Sequence, residues 1–199
     1  MSRRLPQLLQ VGSHHVRPAT FADAPELARV HVMCWHETYR GLVPDDLLAA
    51  YTAENGELIW GRILNDPAAF NAAAVYLATH AGAVVGFASC GSQRSAELSA
   101  AYDGEISTVY VLKALQRRRT GAGLMHEAAC DLIERGFGAA SVWVLRDNAP
   151  ARRFYERCGG SLIGERTDVR GDVALLEVAY GWASLVTLRE NAQRLMSNE

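Results

Sequence analysis

This 199-residue chain has no closely spaced cysteine pair, no glycine–lysine step, no basic excess and no long apolar run. Its four cysteines, Cys34, Cys90, Cys130 and Cys158, are widely separated and no CxxC occurs. That spacing argues against a zinc cluster and suits thiols kept in a reducing cytoplasm, the expected location. Twenty basic and 22 acidic side chains leave a net charge of −2. A general nucleic-acid binder would be basic overall, so nucleic acid is not expected as a partner and any anion site must be local. No stretch reaches the roughly 18 apolar residues needed to cross a membrane. The opening MSRRLPQLLQVGSHH begins basic but lacks the apolar segment of a secretory signal. Without a Gly-Lys pair there is no Walker loop. The dinucleotide fingerprint also fails, because Gly121 and Gly123 are followed by His126 where a third glycine belongs.

What is present is a 49% apolar chain, enough for one sizeable core. Residues 1–13 read as a flexible arm, 14–182 as the folded domain and 183–199 as a C-terminal extension with helical character. A short strand at 14–20 is stopped by Pro18. A helix follows over 24–37, then a turn with a second helical piece, then a third helical stretch around 54–64. Two apolar runs in AVYLATHAGAVVGFASCG (74–91) flank His80–Ala83 and predict a hairpin. Residues 92–101 read as a loop. Strands are expected at 105–111, 141–145, 161–167 and 172–180, and helices at 121–135 and 149–158. Leu124, Met125, Ala128, Ala129, Leu132 and Ile133 form one stripe at helical period. A strand, a tight loop, that helix and the strand at 141–145 make a βαβ unit, so those two strands should be parallel.

The loop inside this unit carries the chemistry. Arg117, Arg118 and Arg119 precede Thr120, Gly121, Ala122 and Gly123 at the start of a helix. A helix N-terminus offers free N–H groups and partial positive charge, glycine admits close approach to the backbone, and arginine forks suit phosphate. Together they indicate a polyphosphate site. A solvated basic turn is the bland alternative.

QRRRTG (116–121) resembles the acyl-coenzyme A loop of the GNAT superfamily of N-acetyltransferases, Q/R-x-x-G-x-G/A, at Gln116 and Gly121, with Arg119 where the pattern has glycine. NAPARRFYERCGG (148–160) is similar to that family's N-x-x-A-x-x-F-Y-x-x-x-G-F at Asn148, Ala151, Phe154, Tyr155 and Gly159, with Gly160 in place of the aromatic. WHETYRGLVPDDLL resembles the region between the first two helices of many bacterial members. The likeness covers roughly residues 15–182. It implies an α/β fold with a central, mostly antiparallel sheet of six or seven strands, whose fourth and fifth strands are a splayed parallel pair flanked by helices.

It also implies acetyl-CoA as donor cosubstrate, an amine acceptor, attack through a ternary complex and no metal. Coenzyme A would lie along the backbone of Val109, Tyr110 and Val111, with its pyrophosphate over Gln116 to Gly123. Tyr155 would protonate or hydrogen-bond the departing thiolate, and Asn148 would bond the pantetheine arm or cap its helix. Glu105 stands eleven positions before Gln116, where the histone-modifying branch has its base. It is therefore a candidate to deprotonate an amine whose ordinary pKa is about 10.4, against a plain strand-end role. A β-bulge is expected to open the splay. Trp35, His36 and Tyr39 are candidates to line the acceptor pocket, shaped by loops at 35–48 and 165–172. Arg152 and Arg153 read as solvated, though near enough in sequence to reach a phosphate. Arg119 in the glycine position keeps a second reading open, a non-catalytic acyl-CoA sensor. Assembly into a homodimer also stays open.

Overall fold

The computed structural model describes residues 9–11 and 14–197. One sheet holds β1 (Leu9–Val11), β2 (His14–Pro18), β3 (Ala72–His80), β4 (Ala83–Ser92), β5 (Gly104–Val111), β6 (Ala140–Leu145), β7 (Ser161–Arg170) and β8 (Val173–Trp182), in the order β1-β2-β3-β4-β5-β6-β8-β7. Every neighbouring pair is antiparallel except β5 and β6. Counted from His14, these are the fourth and fifth of seven strands, the parallel pair that the sequence predicts. β1 adds an eighth strand at the edge: Leu9–Val11, read above as part of an arm, pairs with Val16–His14. The rest of that arm, residues 1–8, 12 and 13, lies outside the described residues.

The β3–β4 hairpin closes through Ala81 and Gly82, both at positive φ (49° and 82°), between the paired His80 and Ala83. Two left-handed residues are what a two-residue turn needs to match strand twist, and glycine supplies one of them without strain. The β7–β8 turn does the same job differently from expectation. Residues 165–172, read partly as loop, continue as strand to Arg170, which pairs with Val173 across Gly171 and Asp172, with Gly171 at φ 60°.

Among the described residues six α-helices cover the sheet: α1 (Ala24–Tyr39), α2 (Asp45–Ala49), α3 (Ala53–Asn65), α4 (Thr120–Glu134), α5 (Ala149–Arg157) and α6 (Leu185–Ser197). α1 and α3 pack Leu27, Val30 and Trp60 onto Val75, Leu77 and Phe87. On the other face, the predicted α4 stripe sinks Leu124, Met125, Ala128, Ala129 and Leu132 completely. α6 joins them. Its Leu185, Leu188 and Ala192 share the cluster of Met125, Ala128 and Leu132. The tail therefore has a packing role that its sequence alone did not reveal. Among the described residues no helix is long and apolar enough to cross a membrane.

The feature that shapes the site lies in β5. It pairs with β6 only at Gly104↔Ala140 and Glu105↔Ser141. On its other side, Cys90 pairs with Ile106 and Ser89 with Thr108, leaving Ser107 as an extra residue. This is the expected β-bulge, two residues past the last parallel pair. A bulge bends its strand and increases local twist, so β5 turns away from β6 and the two form a V.

The chain leaves β5 through a short turn at Lys113–Leu115. The Gln116 Nε2 donates to the Val111 carbonyl (3.0 Å) and ties the loop to the strand end. Arg117 and Arg119 then both adopt left-handed backbone, at φ 57° and 68°, and Arg119 is the N-cap of α4. Arg119 thus takes the conformation that glycine adopts freely, at a cost of about 1 kcal/mol for a residue with a β-carbon. Two outcomes follow for chemical denaturation. Arg119→Gly should be more stable than Arg119→Ala by about 0.5–1 kcal/mol, since both remove the guanidinium but only one relieves the β-carbon. Leu188→Ala should cost about 2–5 kcal/mol, the range for a fully buried leucine, because α6 is part of the core.

Candidate functional site

Three elements meet at the open end of the V. β5 brings Val109, Tyr110 and Val111, which have no β6 partner among the described residues. α4 brings the N–H groups of its first turn. The first turn-closing bond comes only from Gly123 N to the Arg119 carbonyl (3.0 Å), so the preceding amides stay available to an anion. Arg117 and Arg118 are exposed beside them and Arg119 is half-buried. Gly121 shows a second reason for being glycine. A β-carbon there would sit 3.2 Å from the Phe154 ring, so the residue lets α5 dock against the start of α4.

α5 brings Asn148 and Tyr155. Asn148 is buried and caps the helix, its Oδ1 accepting from Ala151 N (3.3 Å). Tyr155 is only 5% exposed, its ring between those of Phe154, Tyr180 and Trp182. Its phenol lies within electrostatic reach of the Tyr110 and Tyr39 phenols. The Tyr39 and Tyr110 hydroxyls are 3.2 Å apart. Burial raises all three phenols above their ordinary value, Tyr110 and Tyr155 strongly. A phenol held neutral keeps its proton and remains a hydrogen-bond donor across the whole neutral range. Arg152, by contrast, is already engaged. It donates to the Tyr180 hydroxyl (3.2 Å) and to the Arg146 carbonyl (3.0 Å), while Arg153 is exposed.

The wall facing α5 comes from α1 and α2. Trp35 and Tyr39, with rings 4.5 Å apart, pack with Val43, Leu48, Leu145 and Leu175 and so bridge from α1 to β6 and β8. The Trp35 Nε1–H is buried with no acceptor among the described residues. His36, on the same helix, is half-buried.

Glu105 lies at the closed end of the V, 4% exposed. It is not alone there. Arg94 donates to its Oε2 through the backbone N and Nε, each at 3.0 Å, and to Oε1 through Nη2. The neighbouring Gln93 Nε2 donates to Ser141 Oγ (2.7 Å). Residues 93 and 94, read only as loop, therefore fasten the point where β5 and β6 separate.

Three features escaped the sequence reading. Glu177, 7% exposed on β8, pairs with Arg166 of β7. Trp143 of β6 lies under that guanidinium, 4.1 Å from ring centroid to carbon, with its Nε1–H buried and lacking an acceptor among the described residues. The Tyr110 side chain, chosen above only for its backbone, supplies one of the three phenols. A signal for Glu177 was present, since it is the one charge in the run VALLEVAYGW. His126 and Cys130 touch across one turn (3.9 Å), and that contact, followed by Glu127, raises the imidazole to about 9. No three metal-ligating side chains gather among the described residues.

Known proteins resemble this chain in sequence and in fold. A model of the "Acetyltransferase (GNAT) family" matches residues 25–160. The chain is 34% identical over 176 residues to the uncharacterized N-acetyltransferase YuaI of Bacillus subtilis (strain 168), covering 87% of this chain and 95% of that one. An uncharacterized N-acetyltransferase of Archaeoglobus fulgidus is 32% identical over 140 residues, covering 70% and 88%. Among solved structures, PaiA N-acetyltransferase from Thermoplasma acidophilum in complex with coenzyme A superposes with a TM-score of 0.65 at 18% identity, over 83% of this chain and 98% of the other. YncA of Salmonella typhimurium, a putative acetyltransferase with acetyl-CoA, superposes with a TM-score of 0.60 at 19% identity, over 87% and 95%. With the family pattern running through most of the sequence and the splayed parallel pair at its centre, this chain belongs to the acetyltransferase (GNAT) family.

Proposed function

We propose that the protein transfers the acetyl group of acetyl-CoA directly to a primary amine, of a small molecule or a peptide, with both substrates bound at once. The observation that carries this reading is the open V: a stretch of β5 without a β6 partner, the α4 N-terminus at its end and the Tyr155 phenol at its side. The amide-rich pantetheine arm would add to Val109–Val111 as a strand adds to a sheet edge. The pyrophosphate would rest on the first amides of α4 beside Arg117 and Arg118. The amine then attacks the thioester carbon, the C–S bond breaks, and the thiolate takes a proton from Tyr155. Glu105 would accept the proton lost by the amine, through water, with Arg94 fixing its orientation.

The sensor reading rested on Arg119 in the glycine position. Arg119 adopts the left-handed conformation open to glycine, at φ 68°, so the loop backbone gives no ground for preferring the sensor reading. Release of free thiol on mixing the protein with acetyl-CoA and a panel of amines tests the proposal. Acetyl-CoA binding without thiol release from any amine would return the sensor reading.

Tyr155→Phe should lower kcat by roughly 10²–10⁴-fold, the scale for a positioned acid, with a much smaller change in acetyl-CoA affinity by calorimetry. Unchanged turnover would make Tyr155 a core residue only. Glu105→Gln should abolish the acidic limb of the pH dependence of kcat/KM, because the carboxylate that must be ionised is gone. Two amines of different basicity make the check. A limb that follows the amine's own pKa and ignores the substitution removes Glu105 as the base.

A further inference from the structure

A second buried carboxylate faces the mouth of the V, and its two oxygens are used unequally. Both hydrogen bonds from Arg166 go to Glu177 Oε2, from Nε at 2.9 Å and from Nη2 at 2.7 Å. Oε1 has only the Arg170 Nη2 at 3.7 Å, beyond hydrogen-bonding distance, and Arg170 is turned to Asp168 at 2.7 Å. A carboxylate buried to this extent is costly unless its lone pairs are satisfied. Here one oxygen accepts two hydrogen bonds, while the other accepts none and is only ion-paired with Arg170.

The position of Glu177 gives the open oxygen a use. Across the sheet it is opposite Leu145 on one side and Arg166 on the other. Leu145 belongs to the apolar wall with Trp35, Tyr39 and Leu175. Tyr39 is the link to the reaction centre. After burial and its bond to Tyr110, the charges that act on its phenol are those of Arg170 and Glu177, and Tyr39 in turn acts on Tyr155. An apolar lining with an open carboxylate oxygen suits an organic cation.

We propose that Glu177 Oε1 is the recognition point for the acceptor, binding the ammonium of a cationic amine against the Trp35–Tyr39 wall before the amine loses its proton. Arg166, clamped between Glu177 and the Trp143 ring, holds the carboxylate in place. Glu177 is a specificity-determining residue in this scheme, and proton removal stays with the base. The inference rests on the acetyltransferase reading for the identity of the cation as acceptor. The binding of a cation at this point can be measured without turnover.

The test uses three aralkyl probes of one shape, a trimethylammonium, its uncharged tert-butyl isostere and the corresponding carboxylate. Calorimetry reads their binding to the full-length protein saturated with coenzyme A. The cation should bind at least about tenfold more tightly than the neutral isostere, as expected for pairing with a partly buried carboxylate. That preference should vanish in Glu177→Gln and persist in Glu57→Gln, at an exposed position on α3. Glu177→Asp keeps the charge but draws it back, and should reduce the preference by about threefold; it carries the test if Glu177→Gln does not fold. Equal binding of the neutral isostere, tighter binding of the carboxylate, or a preference unchanged in the Glu177 variants would overturn the proposal. A cation preference lost with Glu177, in a protein that releases no thiol with any amine, would uphold the site and defeat the acetyltransferase reading instead.

Discussion

The parallel pairing of β5 and β6 ends after Glu105↔Ser141, and the rest of the architecture depends on where it ends. Had the ladder continued, the backbone groups of Val109–Val111 would be spent on β6 and the sheet would be closed. Because Ser107 bulges, β5 diverges and those groups need another partner. The protein has in effect built a sheet edge inside itself. Exposed edges invite unwanted pairing, but this one is enclosed between α4 and α5 on one side and the α1–α2 wall on the other.

Two kinds of force keep the V at a fixed angle. At its vertex, polar bonds dominate: Arg94 grips Glu105 and Gln93 grips Ser141. Along its arms, packing dominates. The α4 stripe and α6 fill one side. On the other, His31 sits among Trp60, Tyr51, Phe87 and Tyr110. Its Nδ1 accepts from Tyr51 Oη (2.7 Å) and Trp60 Nε1 (3.2 Å), and burial lowers its pKa to about 4, so it stays neutral within the cluster. This cluster sets the direction of the Tyr110 ring, which meets Tyr39. The aromatic core and the three-phenol site are thus one connected body.

The two buried glutamates show how one chemical problem is solved twice. Each is a carboxylate in an apolar sheet and each has an arginine from a neighbouring segment. Arg94 bonds both oxygens of Glu105, whereas Arg166 bonds a single oxygen of Glu177. The difference is geometric. Arg94 approaches from a loop and can face the whole carboxylate, while Arg166 is the cross-strand partner of Glu177 and reaches it from one side.

The sequence by itself determined whatever depends on neighbours along the chain. The α4 stripe was legible because helical period puts residues 124 to 132 on one face whatever they meet. The β3–β4 hairpin was legible because Gly82 can take the left-handed conformation. The loop entering α4 and the Asn148 cap were legible because both are local patterns. The tertiary structure alone decided what depends on docking and on register between distant strands. The strand at Leu9–Val11 needed β2 beside it, and α6 needed α4 to show which face it buries. The left-handed Arg119 follows from how the loop must join β5 to α4. The contact of Gly121 with Phe154, the hold of Arg94 on Glu105 and the open oxygen of Glu177 each join residues brought together only by folding. Spacing in a sequence says which side a residue faces, and only the packed sheet decides what stands opposite it.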